Sequence, residues 1–282
     1  MYPKDPKLVK NCHIYQGEIF QANLSRLWRF KVDEELTDID IYRKLREKNP
    51  LIIVMAWNFI NEIRSKYPHA DISYGDCEVA TSRQVDDAVA NWGFIEIGDR
   101  FDAKFINLSN TPTELVRVGP IFGELEMPQN LLKADIILSL PVIKTHCITP
   151  FTGALKNQWG LLPRARFKFH PVVHQAIAEV NSFFADKMRL GVADATIAME
   201  GPGPRVGIPK ICDRVMASRD LVALDALAGD YMGFSVSDIS FIHEAEKQNL
   251  GSSKFIPIGD PYKSNPFKPD RNHIHHILFF LK

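Results

Sequence analysis

Cysteine is scarce: four residues, Cys12, Cys77, Cys147 and Cys212, lie far apart in 282. No CxxC pair occurs, so neither a zinc ribbon nor a ferredoxin-type cluster can be built from local spacing within this chain. No apolar run approaches the ~18 residues of a membrane span, and the N-terminus has no apolar h-region of a signal peptide. Net charge is missing too, with 34 Lys+Arg against 34 Asp+Glu and a pI near 7.1. That removes the general electrostatic warrant for nucleic-acid binding or adhesion to an anionic membrane. Walker, dinucleotide-binding, HExxH and GxSxG motifs are all absent. A chain of this length hides roughly 75% of its unfolded surface on folding, so disulfides are not needed. The expectation is a soluble cytoplasmic protein with reduced thiols.

What is present reads as strands alternating with helices. The run at 51–56, LIIVMA, has the length of a strand buried on both faces, and 104–108, 136–140, 190–193, 211–217 and 254–258 read as further strands. Helices are expected at 40–48, 84–92, 152–159, from Pro171 through Val173, Ile177, Val180 and Phe184, after Asp220, and at 235–250. The pattern predicts an α/β fold with a largely parallel sheet flanked by helices in Rossmann-like layers. It divides into a poorly patterned segment at 1–50, an α/β domain at 51–260 and a tail at 261–282. Ligands in such folds bind beyond the carboxyl ends of strands.

Two segments follow predicted strand ends. In the first, Lys144 and His146 lie two apart on extended chain and so share a side. Thr152 and Lys156 lie four apart, and a helix opening at Thr152 and Gly153 would offer backbone N–H groups to an anion. No Asp or Glu occurs between Ile136 and Ala178, whereas Lys144, Lys156, Arg164, Arg166, Lys168, His146, His170 and His174 do. In a neutral protein this segment predicts an anionic ligand. The second segment carries Asp194 at a strand end and Glu200 before a stiff Gly-Pro loop, in which Gly201, Gly203 and Gly207 permit close backbone approach. Asp194 and Glu200 either bind a divalent cation, whose hard oxygen ligands they would be, or pair with Lys144 or Lys156. His170 and His174 have metal-helix spacing but lack the companion glutamate, so a ligand-binding role is expected. Cys147 beside His146 is not expected to form a nucleophile–base pair, because strand neighbours point apart.

The order of motifs, Lys144-Thr145-His146, then Thr152-Gly153-Ala154-Leu155-Lys156-Asn157 with Gly160, then His170, then Ala193-Asp194 and Met199-Glu200-Gly201 with Gly203-Pro204 and Gly207, then Ser218-Arg219-Asp220 with Val222 to Asp225, resembles the prokaryotic family known as domain of unknown function 362. The likeness is dense from about residue 134 to 225, and the stretch around 75–108 is compatible with it. Many relatives carry or neighbour ferredoxin-type iron–sulfur modules, so the resemblance implies redox-linked or anaerobic metabolism. The first 50 residues lack the Lys-Pro-Asn opening strand that the family implies. The resulting expectation is an enzyme for a small carboxylate or phosphate. Lys144, Lys156, His146 and His170 would do the chemistry, and Thr152, Gly153, Asn157 and the loop glycines would bind the substrate. The alternative is an accessory protein docking on an iron–sulfur partner, with the apolar tail at 276–281 available for an edge strand or for contact with a second copy.

Overall fold

The computed structural model describes residues 19–22, 51–78, 85–86, 94–204, 207–261 and 263–269. The expected helix at 40–48 and the apolar tail lie outside these residues, and of the expected helix at 84–92 only Val85 and Asp86 are described, both helical. Strand β1 (Ile19–Ala22) precedes helix α1 (Leu51–Lys66), where the sequence predicts a buried strand. A short apolar run has no period of its own, and this one continues into Phe59, Ile60 and Ile63 at helical spacing, so length decides for helix. Ile60 buries against Ile72, Phe101 and Ala103. Arg64 ties the end of α1 down by donating to the carbonyls of Pro68, Ala70, Phe101 and Asp102. These contacts join α1 to a parallel pair, β2 (Ile72–Asp76) and β3 (Ala103–Asn107), which flanks helix α2 (Phe94–Phe101) in the chain.

An antiparallel hairpin, β4 (Thr113–Gly119) and β5 (Gly123–Pro128), leads into a short helix α3 (Gln129–Lys133). The main sheet then begins with β6 (Ile137–Ser139), β7 (Val142–Thr145) and β8 (Phe151–Thr152). After helices α4 (Ala154–Asn157) and α5 (Val173–Phe183) come the long strands β9 (Met188–Glu200) and β10 (Ile208–Ser218). Helices α6 (Leu221–Tyr231) and α7 (Ser240–Lys247) precede the last strand, β11 (Pro257–Gly259).

The strand order is β11-β1-β10-β9-β7-β8, with β6 also paired to β9. β9 runs parallel to β6 and β7 but antiparallel to β10, and β7 is antiparallel to β8. The fold is α/β, but its main sheet is mixed, and this corrects the expected largely parallel Rossmann-like layering. The cause is local: only the short loop at 201–207 links β9 to β10, which is enough for a hairpin and too short for a parallel crossover. β6 and β7 lie end to end along β9 because Pro141 has no N–H for the ladder; its carbonyl instead accepts from Asp194 N at 2.8 Å.

Helix α5 buries Val173, Ile177 and Val180, with Phe184 buried just beyond it, as the 4-3-4 spacing predicts. Helix α6 is buried on nearly every side and capped by Asp220, whose carboxylate accepts from Val222 N and Ala223 N. The expected single helix at 235–250 is interrupted: Val236–Asp238 form a 3-10 turn, and fully buried Ile239 leaves helical geometry before α7 begins. Among the described residues no helix is long and apolar enough to cross a membrane.

Candidate functional site

Lys144 stands directly opposite Thr152 in the β7–β8 ladder, so their side chains share one face of the sheet. Thr152 is buried, and its hydroxyl has no hydrogen-bond partner among the described residues. The chain then turns at Gly153 into α4, with Gly153 rather than Thr152 at the cap position and no side-chain cap there. The N–H groups expected to receive an anion are already taken. Asp225, fully buried on α6, accepts from Ala154 N at 2.6 Å and Leu155 N at 3.0 Å. Glycine at 153 is what permits this, since a Cβ there would overlap the Asp225 carboxylate. Gly153 is therefore a docking point for a carboxylate of the protein itself, which corrects its assignment to substrate.

Pinned in this way, α4 holds Lys156 with only 6% of its surface exposed. Burial, then the Lys144 charge, drives its ammonium pKa down to about 7; the Cys147 thiol opposes the shift and Arg166 adds to it. Among the described residues no carboxylate pairs with it. Asn157, expected to bind substrate, donates its side-chain amide to Ser139 and so fastens α4 to β6.

Three residues outside the expected set complete the cluster. Arg166 is buried and donates to the carbonyls of Leu162 and Glu78. Asp76 ends β2. Burial raises its carboxyl pKa, although the Cys77 N–H, Arg166 and Lys144 all favour the charged form. Asp76 nevertheless retains exposed surface. Gly160 packs against Asp76 and accepts from Cys77 N at 3.1 Å, which brings the end of β2 to the turn after α4. Glu78 receives the Asn107 side chain at 3.1 Å, continuing the junction into β3.

The histidines occupy different stations. His170 donates from Nδ1 to the Phe167 carbonyl at 2.7 Å, leaving Nε2 as the acceptor. Burial lowers its pKa, the bond to Phe167 opposes this, and the Lys156 and Arg166 charges add to the lowering. His170 is thus a neutral base at pH 7. His146 accepts at Nδ1 from Ile148 N at 3.0 Å, so its proton sits on Nε2. Cys147 Sγ lies 3.9 Å from that same Nδ1. Strand geometry ends at Thr145, so alternation no longer separates the two, contrary to the sequence expectation. His174 stacks over Phe241 within the helical layer.

The Gly-Pro loop crosses the end of β7. Thr145 donates its hydroxyl to Gly201 O at 2.8 Å, and a Cβ on Gly203 would overlap the Thr145 carbonyl. Gly201 needs its positive φ of 82°. Gly201 N donates to Lys268 O and Gly203 N to Gly201 O, and Gly207 leaves no room for a Cβ beside Met199. The glycines therefore seat the loop instead of presenting N–H groups to a substrate. Gly203→Ala is expected to push the loop off β7 at a cost of about 1–3 kcal/mol, read as a lower urea midpoint.

Asp194 and Glu200 do not form a pair. Both lie within β9, six residues apart, a span of up to ~20 Å in extended chain. Asp194 is buried mid-strand rather than at a strand end and accepts from Thr196 N at 2.8 Å. Burial raises its pKa against that bond. Glu200 accepts from Lys210 Nζ and Lys268 N, both at 3.1 Å. Burial pushes its carboxyl up, but the Lys268 N–H and the Lys210 ammonium prevail and hold it below the ordinary value. Its partner is Lys210, not Lys144 or Lys156, and the two carboxylates have no common cation position. Among the described residues no group of three or more His, Cys, Asp or Glu could hold a metal.

A family model described as "Domain of unknown function (DUF362)" matches residues 49–230. The chain belongs to this family. A thylakoid-associated protein of Synechocystis sp. is 24% identical over 135 residues, a match spanning 46% of this chain and 42% of that protein. No solved structure matches. In this DUF362 member the motif positions divide by role. Lys144, Lys156 and His170 lie near one another and Arg166, His146 is bonded within its own loop, and Gly153, Asn157, Gly160, Gly203, Asp220 and Asp225 hold neighbouring elements in place.

Proposed function

We propose that the cluster of Lys144, Lys156 and Arg166 beside the end of β2 binds a small anionic substrate, a carboxylate or phosphate, and that the protein is an enzyme acting on it. The observation that carries this reading is Lys156, buried among the Lys144 and Arg166 charges with no carboxylate of the described residues paired to it. Asp76 lies near enough to offset Lys144 and Arg166, but no carboxylate of the described residues stands beside the enclosed Lys156, and a bound anion would offset the cost of burying its charge. Lys144 and Arg166 supply the attraction, His170 supplies a neutral base, and Lys156 takes up a proton when the anion binds. The redox-linked setting rests on the family's association with ferredoxin modules, and the neighbouring genes are the first place to look for an iron–sulfur partner.

A thermal-shift series with phosphate and acetate tests the reading. Stabilisation is expected at pH 6.5 and should be lost in Lys144→Ala and Lys156→Ala. Because the anion favours the charged form of Lys156, affinity should fall as pH rises above about 7, by up to roughly tenfold per unit. Anions that stabilise both variants as well as the parent protein would remove this assignment.

A further inference from the structure

Holding an anion does not by itself require a lysine in the position of Lys156. A less enclosed ammonium does so at less cost, and Lys144 is only half-buried. Lys156 is instead enclosed, and its backbone is fixed on both sides: Asp225 grips the two N–H groups before it, and the Asn157 side chain fastens to Ser139 after it. Two neighbouring charges, Lys144 and Arg166, favour its neutral form. Beside Lys144 in register stands the buried Thr152 hydroxyl, which has no hydrogen-bond partner among the described residues. A rigid amine, cations to hold a carboxylate and a spare hydroxyl donor together fit a carbonyl carbon next to a carboxylate.

We propose that Lys156 condenses with the carbonyl group of a 2-oxo acid to form an imine. The inference rests on the anion-binding reading above and names the substrate class of the same site. His170 takes the proton that anion binding places on Lys156, and the freed Nζ lone pair attacks the carbonyl carbon while the C=O π pair moves onto oxygen. That oxygen receives a hydrogen bond from Thr152 and is protonated by the ammonium formed in the attack. The carbinolamine hydroxyl takes from His170 the proton that came off Lys156 and leaves as water, the nitrogen lone pair completing a protonated C=N bond. Amine and carbonyl give imine and water, with no oxidant or reductant. His170 can carry the proton transfers, and the carboxylate stays against Lys144 and Arg166 throughout. The imine then withdraws electrons from the adjacent carbon, which suits bond-breaking next to the former carbonyl.

The experiment uses pyruvate and 2-oxoglutarate as probes with the full chain at pH 7. Protein is incubated with each acid, reduced with borohydride, digested and mapped by mass spectrometry. The expected result is a saturable reduced adduct on the peptide carrying Lys156, diminished by competing acetate. In Lys156→Arg and Lys156→Met that adduct should fall to background, and in Thr152→Val it should form more slowly. Circular dichroism of each variant establishes folding, and the wild-type peptide map decides the site even if a variant fails to fold. No adduct, or one spread over Lys144 and exposed lysines, would overturn the proposal. Stabilisation by acetate and phosphate without any trapping would sink the imine alone. The absence of stabilisation by every anion would sink the anion site as well.

Discussion

Lys156→Met is expected to be more stable than the parent protein at pH 6 and to lose much of the parent's pH dependence between about pH 7 and 10.5. The folded protein holds the Lys156 ammonium at about 7, while the unfolded chain titrates near 10.5. Between those values the unfolded state binds more protons, so stability rises with pH across the window, and below pH 7 the penalty is present in full. Removing the amine removes the penalty, up to about 4 kcal/mol for a shift of this size. For a chain of this size that corresponds to roughly 5–15 °C in the unfolding midpoint. The same variant should no longer be stabilised by acetate or phosphate, trading function for stability. Scanning calorimetry of both proteins at pH 6, 8 and 10 reads the effect. A lower midpoint at pH 6 with an unchanged pH slope would mean that Lys156 is an ordinary paired lysine.

Asp225→Ala should act in the opposite direction. It leaves the N–H groups of Ala154 and Leu155 buried without acceptors, at about 1–3 kcal/mol each. The total, about 2–6 kcal/mol, would lower the unfolding midpoint and release α4, so anion binding should fail as well. The pH dependence is again specific. Burial pushes the Asp225 carboxyl up to about 7, against the opposing pull of Leu155 N and Ala154 N. A raised carboxyl contributes stability that is complete below the unfolded value and is lost as pH rises through the folded one. The deficit of Asp225→Ala should therefore be larger at pH 5 than at pH 8. A deficit that grows with pH would show that Asp225 is held as a carboxylate.

Much of the site was legible because its chemistry is dense in sequence. The acid-free stretch from Ile136 to Ala178 contains Lys144, His146, Lys156, Arg166 and His170, and the anion-binding expectation came from its charge alone. The stripe of α5 and the cap of α6 were legible too, since Val173, Ile177 and Val180 report a local period and Asp220 a local hydrogen bond that packing does not overturn. The 51–56 run misled for the same reason in reverse: six apolar residues fit strand and helix alike, and only the continuation to Lys66 separates them.

The sequence by itself determined the kinds of groups present and some of their local geometry: the Asp220 cap of α6, where Pro141 interrupts a ladder, and which segment carries unbalanced positive charge. Long-range proximity decided the rest. Asp225 lies seventy-one residues from the N–H it accepts at Ala154, so nothing in the spacing could reveal that the presumed anion site was already filled. Asp76 comes near Lys144 and Arg166 where Cys77 meets Gly160, and Glu200 is claimed by Lys210 across the β9–β10 hairpin and by the backbone of Lys268. The nucleophilic character argued for Lys156 is likewise a tertiary property, because desolvation and the field of neighbouring charges belong to the folded surroundings and not to the residue.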